Sequence, residues 1–205
     1  MLLLLAIAAG TSYFFFRDGL SPALHLVWKG AGVGLLALWA LSRARNGAGR
    51  LIALVLAFGA AGDVLIEAAG LTIGALAFLA GHIAAVVLYL RNRRATLEIV
   101  AVPVALTTVL IAWLLPADRG AAPGVAIYAL ALGAMTGTAL NSRYPRALVG
   151  LGALLFAASD LLLFARMGPL AGSTLPALLI WPSYFAGQLL IAWGVVRSEA
   201  RAEAV

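Results

Sequence analysis

The chain has 205 residues, 64% of them hydrophobic and only 11% charged, with 14 Lys plus Arg against 8 Asp plus Glu for a formal net charge of +6. Polar surface this scarce cannot clothe a water-soluble domain, so the composition requires lipid. The absence of cysteine excludes disulfides, thiolate metal sites and a cysteine nucleophile.

A helix needs roughly 20 apolar residues to cross a bilayer. Runs of that kind predict eight spans, at about 1–17, 22–41, 49–68, 71–90, 96–115, 121–140, 147–167 and 175–196. The runs are continuously apolar and do not alternate, which predicts helices and not a barrel. The expected fold is an all-α integral membrane protein, one transmembrane helix-bundle domain over residues 1–205. No basic segment precedes the first apolar run, so it reads as a span and not as a cleaved leader.

The arginines set the expected orientation. Arg43, Arg45, Arg50, Arg91, Arg93, Arg94, Arg143, Arg146, Arg197 and Arg201 fall in the even-numbered loops and the tail, whereas Arg17, Arg119 and Arg166 fall on the other side. By the positive-inside rule both termini are expected in the cytoplasm. These basic residues sit in short loops with no basic domain, so nucleic acid is not an expected partner.

Within the third and seventh spans lie two aspartates in similar surroundings, Asp63 in LAFGAAGDVLI and Asp160 in LLFAASDLLLF. A carboxylate near the bilayer centre costs about 2.5–3.5 kcal/mol even on the lenient insertion scale, so each marks a candidate functional site. FLAGH at residues 78–82 follows the first and YFAGQ at 184–188 the second, matching His82 with Gln188. Such pairing is what two parallel repeats of four helices would produce, with a site at the repeat interface.

Depth gives an independent reason to group these residues. At ~1.5 Å per residue, Asp63 lies roughly 7 Å and Asp160 roughly 5 Å to the outer side of the midplane, with Lys29 and Tyr128 at about 4 Å on that side. Tyr184, His82 and Gln188 fall within about 4 Å of the midplane. The grouping competes with plainer roles. Lys29 can serve as a counter-ion, His82 as a packing residue, Tyr128 and Tyr184 as packing aromatics, and the aspartates as members of buried Asp–Lys pairs. His25, Glu67 and Glu98 read as solvated interfacial groups, and Ser159 as a helix-packing residue outside any G-x-S-x-G elbow.

GDVLI in the third span, GALAFLAGH in the fourth, GALLFAASDLLL in the seventh and SYFAGQLLIAW in the eighth resemble, in order and spacing, the YhhN family of eight-helix membrane proteins. Its characterised animal members are lysoplasmalogenases. The resemblance runs from Lys29 to about Trp193, with Gly30 standing where the family often has a proline. It implies hydrolysis of the vinyl-ether bond of a lysoplasmalogen to a fatty aldehyde and a glycerophospho-alcohol, with a lysophospholipid-like substrate drawn from membrane lipid. The implied setting is a bacterial inner membrane.

That chemistry suits two carboxyls. Protonating the β-carbon of a vinyl ether creates an oxocarbenium ion, which water captures; an acid and a nearby carboxylate do the same work in glycosidases. Asp160 is the expected acid and Asp63 the expected base, with Lys29, His82, Tyr128, Tyr184 and Gln188 supporting the substrate and water. No cofactor is required. A metal held by Asp63, Asp160 and His82 is the rival mechanism, though with two histidines and no HExxH the motif for it is missing. A proton-coupled carrier of a small amphiphile or lipid is the rival function.

Overall fold

The computed structural model describes residues 1–94 and 97–202. It is 84% helical, with no strands among the described residues. Eight helices follow one another: α1 (Leu2–Phe16), α2 (Pro22–Arg43), α3 (Gly47–Ala69), α4 (Leu71–Arg91), α5 (Leu97–Leu114), α6 (Ala122–Leu140), α7 (Leu151–Ala165) and α8 (Leu175–Ala202). A 3₁₀ turn, Arg17–Gly19, extends α1, and a π-helical turn, Arg146–Gly150, leads into α7.

Local sequence explains the boundaries. Pro22 opens α2, where its missing amide costs nothing. The Asn46 side chain accepts a hydrogen bond from the Gly49 amide at 2.9 Å and caps α3, which begins two residues before the expected 49. Gly70, at φ 92°, ends α3 in a conformation that other residues rarely adopt, and α4 starts at the next residue. The largest departure is α8, which continues past the expected 196 to Ala202, because nothing in VRSEARA breaks a helix.

Seven of the eight helices are long and apolar enough to cross a membrane. In α5 the described apolar run is the shorter Ile99–Leu114, and Glu98 lies outside the residues whose side chains are described. Large aliphatic side chains point outward along the helices, Val27 at 70% exposure, Ile99 at 75% and Ile127 at 67%. Such a surface is stable only against lipid. Hydroxyls within the helices turn back on their own main chain, as Thr108 does to the Val104 carbonyl and Thr136 to that of Leu132, so they present no unsatisfied donor to hydrocarbon.

The chain divides into two compact units, one of Met1–Leu88 with the chain from Ala192 onward, the other of Tyr89–Ile191. In the first, α2 packs on both α1 and α3. Gly62 of α3 receives the ring of Phe78 from α4, and Gly81 of α4 faces Phe58. In the second unit, Gly133 and Gly137 of α6 lie one turn apart against the backbone of Ala105 and Ala101 of α5; a methyl on Gly137 would come within 2.6 Å of the Ala101 Cα. Gly152 of α7 and Gly187 of α8 similarly face each other's carbonyls. Small residues at these crossings let helices approach closely where lipid supplies no hydrophobic drive to associate.

Loop pairings close both ends of the second unit. Beyond α4, Arg94 donates its amide to the Asn141 carbonyl at 3.0 Å, and the Arg143 amide donates to the Asn92 carbonyl at 2.7 Å. At the opposite ends of these helices the Ala117 amide donates to the Met167 carbonyl at 2.9 Å.

Candidate functional site

In the second unit the polar residues of the sequence reading form one neighbourhood. Tyr128 on α6 and Asp160 on α7 are both 8% exposed, and the tyrosine hydroxyl donates to Asp160 Oδ2 at 2.7 Å. Phe164, one turn beyond Asp160, meets the Tyr128 ring edge-on at 5.6 Å between centroids. On α8 Gln188 Nε2 donates to the Tyr184 hydroxyl at 3.4 Å, and both side chains are buried. The Tyr184 ring packs edge-on against Phe156 and beside Trp181. The α7–α8 glycine contact explains why these rings meet, since Gly152 lies one turn before Phe156 and Gly187 directly precedes Gln188. Ser159, beside Asp160, bonds the Phe156 carbonyl at 2.6 Å and serves the helix itself.

A polar ladder runs through the first unit. His25 and Lys29 are four apart on α2, and Asp63 and Glu67 four apart on α3, so each pair occupies one helix face. Lys29 Nζ donates to Glu67 Oε1 at 2.5 Å, and His25 Nε2 lies 3.8 Å from the same oxygen. The same histidine nitrogen is 2.8 Å from the hydroxyl of Tyr13 on α1. Asp63, at 3% exposure, sits one turn deeper than the half-exposed Glu67. His82, also at 3%, shares its face of α4 with Phe78, the ring that fills the space beside Gly62.

Of the seven residues singled out in the sequence, Asp63, Lys29 and His82 therefore belong to the first unit and Tyr128, Asp160, Tyr184 and Gln188 to the second. Tyr13 and the partnership of His25 and Glu67 with Lys29 were missed. The signal available was the matched i, i+4 spacing on adjacent helices, 25/29 against 63/67. Among the described residues no three His, Asp or Glu side chains converge as a ligand set for a metal ion.

Apolar helices of membrane-crossing length carrying buried carboxyls define a polytopic helical membrane protein. The sequence model of the YhhN family matches residues 24–195, and the chain belongs to that family. No curated protein and no solved structure matches it. All seven candidate residues lie inside the matched range.

Proposed function

We propose that the chain is a lysoplasmalogenase-like hydrolase that cleaves the vinyl-ether bond of a lysoplasmalogen inside the membrane. Membership of the YhhN family supports the class of reaction. The observation that carries the reading is the buried Asp160 carboxyl, oriented by the Tyr128 hydroxyl among apolar helices.

In this mechanism Asp160 delivers its proton to the β-carbon of the C=C–O unit, and the positive charge is shared by the α-carbon and the ether oxygen. Water bonds to the α-carbon and gives up a proton to a base, the role the sequence expects of Asp63. The hydroxyl hydrogen of the resulting hemiacetal passes to the glycerol oxygen as the C–O bond to that oxygen breaks, giving a fatty aldehyde and a glycerophospho-alcohol, with one water consumed overall. The proton gained by Asp63 leaves through water, and Asp160 is reprotonated. Two carboxyls divided between an acid and an ionised partner is a recurring solution to oxocarbenium chemistry. His82, Tyr184 and Gln188 would orient the water and the ether oxygen, and Lys29, ion-paired with Glu67, is assigned the counter-ion role.

The proposal extends to setting. We assign α5 as an eighth span, since its 18 residues extend about 27 Å against a hydrocarbon core of about 30 Å. The arginine distribution supports cytoplasmic termini, and the proposed setting is a bacterial inner membrane, with the whole chain acting as one domain. The deciding experiment is mass spectrometry of the purified protein incubated separately with lysoplasmalogen and with an ester lysophospholipid. Aldehyde from the first alone supports the reading. No aldehyde from either overturns it and favours a carrier.

A further inference from the structure

At the arginine-rich end of the first unit, α2 and α8 carry the same arrangement. Trp39 and Arg43 are four residues apart on α2, and Trp193 and Arg197 four apart on α8. The two indoles stack with their rings 6.2 Å apart and 24° from parallel. Above them opens a cavity of about 680 Å³, lined by both tryptophans, Arg43, Arg197, Arg45 and Ser42 among others, with no carboxylate among the described lining residues. Glu199, the carboxylate nearest in sequence on α8, accepts a hydrogen bond from Asn46 Nδ2 at 2.8 Å. An i, i+4 step puts each guanidinium one turn, ~5.4 Å, further toward the membrane face than its indole. The cavity thus has an aromatic floor and a cationic rim, in the size range of small-molecule sites.

We propose that this cavity binds an anionic phospholipid from the leaflet at the arginine-rich end. Its phosphate would sit between Arg43 and Arg197, and its glycerol and first methylenes would lie on Trp39 and Trp193. Guanidinium pairs match phosphate oxygens in geometry and charge, and indoles favour the depth at which headgroup gives way to acyl chain. The Arg43 and Arg197 guanidinium groups, with no carboxylate among the described lining residues, select against a zwitterionic headgroup, which brings its own positive charge. The site is independent of the aspartates and of the reaction proposed for them.

The test is native mass spectrometry of the full chain, released from detergent, with phosphatidylglycerol, phosphatidylcholine or inorganic phosphate. Wild type is expected to retain phosphatidylglycerol in preference to phosphatidylcholine, and millimolar phosphate is expected not to displace it. Removing both charges, Arg43→Gln with Arg197→Gln, should weaken phosphatidylglycerol binding by about fivefold per guanidinium, roughly 25-fold together. Arg43→Lys with Arg197→Lys keeps both charges and should bind more tightly than the Gln pair, losing only the paired geometry of the guanidinium groups. Arg50→Gln, outside the cavity lining, should have no effect. Unchanged binding in the Gln pair, an equal loss in Arg50→Gln, a full loss in the Lys pair, or displacement by free phosphate each overturns the proposal.

Discussion

Tyr128 on α6 reaches across to α7 and donates its hydroxyl hydrogen to Oδ2 of Asp160 at 2.7 Å, with both side chains buried. A hydrogen bond to a carboxyl here does two jobs. It satisfies a polar group that lipid would leave bare, and it fixes the plane of the group proposed as the acid. Tyr128→Phe keeps the ring contact with Phe164 and removes only the donor. The expected result is a loss of about 1.5–3 kcal/mol in unfolding stability and a slower rate of aldehyde release with little change in KM. Thermal unfolding in detergent and steady-state kinetics measure the two effects.

Asp63→Asn and Asp160→Asn preserve shape and hydrogen bonding but can neither supply an acidic proton nor carry negative charge. Each is expected to lower vinyl-ether cleavage by ~10²–10⁴-fold in a folded, extractable protein. Retention of more than about a tenth of the rate in either variant would make that aspartate structural. Chelator treatment of the wild type runs alongside and is expected to change nothing; loss of activity restored by a divalent ion would instead establish the metal route.

Gly137→Ala should push α6 off α5, because the added methyl meets the Ala101 Cα and carbonyl oxygen and not a movable side-chain end. Overpacking of this kind costs about 1–3 kcal/mol. Gly124→Ala, on the same helix with nothing within 4 Å of the new methyl, is expected to be neutral or slightly stabilising. The contrast in midpoint temperature between the two isolates packing from helix propensity.

Lys29 and Glu67 are 14% and 38% exposed, so their ion pair is partly screened. A double-mutant cycle with Lys29→Met and Glu67→Gln is expected to give a coupling of about 0.5–1 kcal/mol, the range for exposed pairs with good geometry. A coupling near zero would mean that Glu67 finds its stabilisation elsewhere.

Because the native chain has no cysteine, single-cysteine labelling reads topology cleanly. Ala200→Cys and Gly172→Cys both lie at exposed positions at opposite ends of α8. In oriented vesicles a membrane-impermeant reagent should label Gly172→Cys from outside and Ala200→Cys only after permeabilisation. The reverse pattern overturns the cytoplasmic assignment of the C-terminus.

All eight helices lie close to where the apolar runs put them, because bilayer thickness sets the length of such a run and charged loops end it. The end of α8 was not legible, since hydropathy stops at the membrane surface while helix propensity continues through Arg197–Ala202. The π turn before α7 was not legible either; it follows Pro145, whose carbonyl receives both the Leu148 and Val149 amides. For the candidate site, shared depth picked out Tyr128 and Asp160, but their pairing depends on how α6 and α7 are rotated about their axes, which depth does not report. The Lys29–Glu67 bond escaped for another reason. Depth was reckoned from backbone positions, whereas a long lysine stem carries its ammonium well away from its own Cα.

The loop ties of the second unit bear on how a lipid could reach it. Hydrogen bonds join Asn92 and Arg94 to Arg143 and Asn141 at one end and Ala117 to Met167 at the other, so neither end can splay without breaking main-chain bonds. Along the flanks the contacts are methyls, ring edges and glycine backbones, which slide at far lower cost than main-chain bonds break. On the proposed reading an acyl tail would enter between these flanks, from the plane of the bilayer, and not through the tied ends.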